Sequence, residues 1–329
     1  MTKGQTRLQN ATAGIAFILL GVLAISVNDM LIKFLSGGYP LHQMVFTRSA
    51  IAILFSLILV QIEGGWRILR TRTPGLHALR GLLIVIANMS FFAALAVLPL
   101  AEATAVFFVA PLMITLLSIP MLGEKVGPLR LGAVVVGLLG VVIMTRPWQS
   151  GAERTVSFVV YLLPVVAALA YALNQVLTRK LGVASRASAM AVYIQGMFLV
   201  VGLAFWAVAG DGRFAEGLSN ESLIFLLRAW TWPEGRDIWL FIGLGLDSAI
   251  IGYCLSAAYR AADAAVIAPF EYVGLPLAIF WGWLIWGDLP GPVVMVGIAL
   301  ILGAGLFVFL RERQKKRYLV SNRRIHRRY

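Results

Sequence analysis

Long, unbroken apolar runs constrain this chain more than any other feature. Stretches such as "AIAILFSLILV" and "MVGIALILGAGLFVFL" recur along its 329 residues, each of a size that crosses a hydrocarbon core of roughly 30 Å. A backbone inside lipid must satisfy its own N–H and C=O groups, so only helices and closed barrels can cross. The runs are continuous rather than alternating, which disfavours a barrel. Charged residues make up 13% of the chain against 60% hydrophobic, with a mean hydropathy of +0.86, too little charge to cover a soluble surface. The expected fold class is all-α integral membrane.

Apolar runs between charged or Pro/Gly-rich breaks define ten transmembrane helices, at approximately 12–35, 41–62, 78–98, 102–122, 128–146, 157–178, 187–209, 238–259, 264–286 and 292–310. Residues 211–237 form the one long loop, with an interfacial helix expected around "SLIFLLRAW". The net charge of +13 does not point to nucleic acid, because nine of the 28 Lys and Arg residues follow the last span, from Arg311 onward. A basic tail there fits anionic lipid head groups. With the N-terminus inside, the other positions divide 12 to 6 in favour of inner segments, and Arg48 lies within a span. Both termini are therefore expected in the cytoplasm of a bacterial-type inner membrane.

The halves repeat one another. "AISVNDMLIKFL" lies over "AYALNQVLTRKL", matching Asn28 to Asn174 and Lys33 to Arg179. "LPLAEATAV" lies over "YRAADAAV", matching Glu102 to Asp263, and Gly123-Glu124 matches Gly287-Asp288. Five spans in each copy invert the second relative to the first, an arrangement suited to alternating access about a midplane site. The expected organisation is residues 1–150, residues 151–310 and a basic tail, 311–329. The ten spans, the Asn-x-x-x-x-Lys/Arg of each copy's first helix and the Gly-Glu/Asp closing helices four and nine resemble the EamA group of the drug/metabolite transporter superfamily. The resemblance implies a monomeric or weakly dimeric secondary carrier with a central cavity. The stretch "NDMLIKFLSGGYPLHQMVFTR" is most similar to members that take up S-adenosylmethionine or riboflavin, while other members export amino acids.

In "APFEYVGLPLAIFW" (268–281), Glu271 stands between Pro269 and Pro276. An acid near a helix centre costs roughly 2.5–3.5 kcal/mol on insertion scales, and each proline removes a backbone donor. Such a segment is tolerable where it lines a wet cavity or is packed against other helices. Glu271 is thus a binding group for a cationic or zwitterionic substrate or for a coupling proton, or else an internal packing partner. Asp29 and Arg48 both fall roughly 10 Å below the same membrane face, which reads either as a gate or as a static ion pair. Asn28 lies beside them, and Asn174 with Gln195 occupies the equivalent inner place as hydrogen-bonding closure or interhelical glue. Asp247 interrupts helix eight beside a Ser248, Gly252 and Ser256 face, and Asn88 interrupts helix three. Tyr171, Tyr193, Tyr253 and Tyr272 are candidates to stack on a flat or cationic ligand, or simply core or lipid-facing aromatics. Glu102 and Asp263 read as helix N-terminal acids.

The histidines, His42, His77 and His326, lie near span boundaries or in the tail, and there is no His-Glu-x-x-His or Gly-x-Ser-x-Gly pattern. That weighs against a membrane enzyme, for which Glu271 and Asp247 would be the only paired acids. The single Cys254 rules out an internal disulfide. The expectation is a secondary active transporter of a small polar metabolite, with membrane lipids as surroundings, no cofactor, metal or nucleic acid, and a homodimer left open.

Overall fold

The computed structural model describes residues 3–71, 73–123, 126–148, 156–181, 187–261 and 268–325. Glu124, Asp263 and His326 lie outside the described residues, as do the side chains of Arg179 and Ser256. The helices are α1 (Lys3–Leu35), α2 (Leu41–Glu63), α3 (Pro74–Leu95), α4 (Leu100–Phe107), α5 (Ala110–Leu122) and α6 (Pro128–Thr145). They continue with α7 (Phe158–Leu181), α8 (Ala187–Ala209), α9 (Glu221–Leu227) and α10 (Asp237–Ala261). The ninth span comprises a 3-10 turn, Ala268–Val273, then α11 (Gly274–Trp281) and a π-helical turn, Gly282–Trp286. The chain ends in α12 (Pro292–Ile325).

Among the described residues, nine helical stretches are long and apolar enough to cross a membrane, and Phe270–Trp286 forms a shorter tenth. Local chemistry sets their ends. Proline, whose missing N–H costs nothing in a first turn, opens α3, α5 and α6. Gly123 and Gly287 close the fourth and ninth spans at φ 67 and 71, the left-handed conformation that a side chain resists. Proline is not always a stop. Helix α7 runs through Pro164, so the sixth span is continuous.

Helix α1 packs on α10 and α3 on α7, while α2 packs on α8 and α6 on α12. Helix α10 meets α2 as α3 meets α8, and α4 meets α11. Exchanging each span with the one five places later leaves this set of neighbours unchanged, as two inverted copies require. The pairs differ in what lets them approach. At the α6–α12 crossing, a Cβ on Gly140 would meet the Gly297 carbonyl oxygen at 2.9 Å, so two glycines bring backbones together. In α10 the close approach falls at Gly245 against Ile51, whereas Gly252 faces open space. The outward surface carries Leu54, Ile58, Ile62, Val200 and Val296, apolar side chains whose solvent is lipid.

Residues 211–237 hold the expected short helix, α9, and it is fastened to the bundle. Asn220 caps α9, its side chain accepting from the Leu223 N–H at 3.2 Å. Phe225 is fully buried against the ends of α2 and α3, making the loop a strap docked on the bundle.

Candidate functional site

Two spans break at matching places and meet there. The fourth is interrupted at Phe108 and Val109, where the Phe108 N–H reaches back to both Thr104 and Ala105 carbonyls at 3.1 and 3.2 Å. The ninth is 3-10 through Ala268–Val273, and Pro276 has no N–H to offer the Tyr272 carbonyl four residues back. The acid between two prolines therefore lies where the helix leaves its regular path. Phe108 packs on Tyr272 at 5.3 Å between ring centroids, and Phe107 on Tyr171 at 5.6 Å.

Between these rings and α12 lies a pocket of about 230 Å³, lined by Glu271, Tyr171, Tyr272, Phe107 and Phe108, with Thr115 and Ser118 beyond. It runs from mid-span toward the side of the two termini, because Ser118 lies one turn from the end of α5 and Phe309 two residues before Arg311. Glu271 is half-buried, and its charge acts on the hydroxyls of both Tyr171 and Tyr272. Tyr171 accepts a hydrogen bond from Gln175 Nε2 at 2.8 Å, leaving its own O–H as a donor. Gly305 completes the wall, since a Cβ there would collide with the Tyr272 hydroxyl. The arrangement offers one carboxylate, two phenols and aromatic faces to a flat, polar guest.

A second polar cluster lies about 10 Å below the opposite face. Arg48 is buried and donates from Nη1 to Asn28 Oδ1 at 2.9 Å and from Nη2 to Asn88 Oδ1 at 2.7 Å. Its guanidinium lies 5.2 Å from the ring centres of both Phe92 and Phe198. Asn28 Nδ2 in turn donates to Ser248 Oγ at 3.3 Å. Asp29 and Asp247 act on Arg48 through their charge, but its hydrogen bonds go to amides. Helix counting gave the shared depth of Asp29 and Arg48; rotation about the axes makes Asn28, not Asp29, the residue that meets the guanidinium.

Above this cluster the bundle is tied shut. Lys33 Nζ donates to the Leu95 and Leu98 carbonyls at 2.9 and 2.7 Å, with the Trp286 ring 5.4 Å away. Tyr39 donates to Asp237 at 2.7 Å, Arg228 donates to the Ser36 and Gly37 carbonyls, and Gln43 and Thr231 exchange two hydrogen bonds. On the other face Ser188 donates to Glu63 at 2.8 Å, and Tyr193 donates to the Leu69 carbonyl beside the His77 ring.

The structure thus gathers Glu271 and Tyr272 at one pocket and Asn28, Asn88, Arg48, Asp29 and Asp247 at another cluster. Tyr253 joins neither, being half-exposed and packed edge-on against Phe17. Asn174 is buried in α7, and Gln195 makes no hydrogen bond among the described residues. Glu102 sits in the first turn of α4, as a helix N-terminal acid should, and also accepts from Tyr161 at 2.9 Å. Phe107, Phe108 and Gly305 were not singled out as site residues. Their one sequence signal is the Ala-Pro step at 110–111, the counterpart of Leu275-Pro276.

A bundle of inverted five-helix copies, tied most heavily at one end among the described residues and holding a carboxylate-bearing pocket where two broken spans meet, defines a membrane transporter. Residues 12–146 match the EamA-like transporter family. The riboflavin transporter of Rhizobium johnstonii is 32% identical over 305 residues, covering 93% of this chain and 91% of its own. The S-adenosylmethionine uptake transporter of Rickettsia prowazekii is 25% identical, covering 92% and 94%. A protein of known crystal structure superposes on 95% of this chain and 99% of its own with a TM-score of 0.59 at 19% identity, which shows a shared fold. The chain belongs to the EamA-like transporter family of the drug/metabolite transporter superfamily.

Proposed function

We propose that this protein is a secondary carrier that takes up a flat, polar metabolite of the riboflavin class at the Glu271 pocket. Residues 1–150 and 151–310 rock against each other around that pocket, with both termini in the cytoplasm. The single observation that carries this reading is the carboxylate of Glu271 set among Tyr171, Tyr272, Phe107 and Phe108. A fused planar ring stacks on such faces, and its N–H groups or the hydroxyls of a polyol chain donate to the acid. The tied face and the pocket directed toward the termini fit a carrier resting open to the cytoplasm. The name of the Rhizobium johnstonii relative supports the same ligand class. A second reading has its own support: one acid among aromatic rings also attracts a compact cation, which favours a sulfonium such as S-adenosylmethionine.

The test is counterflow in proteoliposomes. Vesicles preloaded with unlabelled riboflavin are expected to draw in labelled riboflavin, and Glu271→Gln to lower that rate about tenfold or more, the loss of a hydrogen bond to a charge. Counterflow of S-adenosylmethionine with none of riboflavin would select the cation, and counterflow of neither would overturn the assignment.

A further inference from the structure

The Arg48 cluster has an unbalanced charge. Two carboxylates, Asp29 from α1 and Asp247 from α10, lie within the electrostatic reach of one guanidinium from α2 without bonding to it. Arg48 gives its bonds to the neutral Asn28 and Asn88 and lies over two phenylalanine rings. Asp247 Oδ2 is buried with no hydrogen-bond partner among the described residues. With both acids ionised the cluster carries a net negative charge behind the tied face, where an uncompensated charge is costly. Removing that charge needs one cation.

We infer that Asp29 and Asp247, arrayed about Arg48, form the proton-coupling site of the carrier, separate from the substrate pocket at Glu271. This rests on the carrier reading above. The cation is a proton rather than sodium because the amide oxygens that a metal ion would need are taken by Arg48, whose charge repels one. The closed far end packs α1, α2 and α10 with the proton aboard on Asp247 Oδ2; loss of that proton calls for water and holds the far end open. One proton enters from water on the far side, binds the carboxylate oxygen, and leaves to water on the side of the termini as the halves rock. Substrate travels the same way. Asn28 links the parts, since it accepts from Arg48, donates to Ser248 and acts directly on the Asp247 carboxyl.

The experiment uses the full chain in proteoliposomes with riboflavin and an imposed pH gradient. Asp247→Asn is expected to lower gradient-driven accumulation at least tenfold relative to the same variant's counterflow, and Asp247→Glu, which keeps a carboxyl, to recover part of the ratio. Infrared spectra of the purified wild type at neutral pH should hold a protonated-carboxyl band that Asp247→Asn removes and Glu271→Gln leaves. Gradient-driven accumulation undiminished in Asp247→Asn, or accumulation that follows sodium instead of pH, overturns the proposal. If riboflavin does not exchange at all, the ligand reading fails, and the infrared band alone decides the proton site: its survival in Asp247→Asn refutes it.

Discussion

At Gly305 a missing side chain shapes the pocket wall. The Tyr272 hydroxyl occupies the space that a Cβ would take, so Gly305→Ala must push the ring into the pocket or force α12 outward. Overpacking of this kind costs roughly 1–3 kcal/mol, and a lower Tm for the purified variant is the expected result. Tyr272→Phe, which removes the colliding oxygen, should recover part of the loss in the double variant; strict additivity would show that the two residues do not meet. Residue-scale features differ in how far the sequence reveals them. Glu271 was legible because an acid between prolines in an apolar run has few tolerable places. Phe107 and Phe108 were not, since aromatics in an apolar run look the same whether they line a pocket, a core or lipid. Arg48 was legible in depth but not in partner, because a rise per residue fixes height and leaves azimuth to packing.

At the scale of elements, the strap of residues 211–237 matters most for closure. One of its ties to the α1–α2 turn is the hydrogen bond from Tyr39 to Asp237, beside those from Arg228 to Ser36 and Gly37. Burial, then that bond and the charge of Asp237, hold the Tyr39 phenol above the usual tyrosine range. A raised acid contributes stability that is complete below its unfolded value, about 10, and fades as the pH rises through the higher folded one. The tie is therefore full at neutral pH and weakens only in strong alkali. Tyr39→Phe should cost about 1–3 kcal/mol, a bond to a charged acceptor, read as faster amide hydrogen exchange across residues 220–237. Unchanged exchange there would mean that Arg228, Gln43 and His42, whose Nδ1 lies 2.9 Å from the Leu226 carbonyl oxygen, hold the strap without it. The sequence suggested a short helix in this loop and placed it at the lipid interface. Its caps are local and readable, whereas the docking of Phe225 beneath α2 and α3 depends on contacts distant in the chain.

Across the whole molecule, the exchange of neighbours between span k and span k+5 places the two broken spans, α4–α5 and 268–286, against one another on the pseudo-symmetry axis. That position lets one pocket belong to both copies, and it separates two tasks along the membrane normal. In the proposed reading, substrate meets aromatic rings and Glu271 toward the termini, while Arg48, Asp29 and Asp247 balance charge near the far face. The repeat was legible because inverted copies retain matching Asn, Gly and acid positions. The division of tasks was not, because each copy has spent its polar positions differently: Asn28 answers the buried Arg48 of the second span, whereas at the matching depth the seventh span carries Gln195.

The central claim is that the substrate sits against Glu271 among the rings of the broken spans, and its most direct test is riboflavin fluorescence titrated with purified protein. Stacking on Tyr171, Tyr272, Phe107 and Phe108 should quench the flavin saturably in the wild type, and Glu271→Gln should shift the midpoint to about tenfold higher concentration or beyond. Saturable quenching with the same midpoint in both proteins would place the ligand elsewhere and contradict the account.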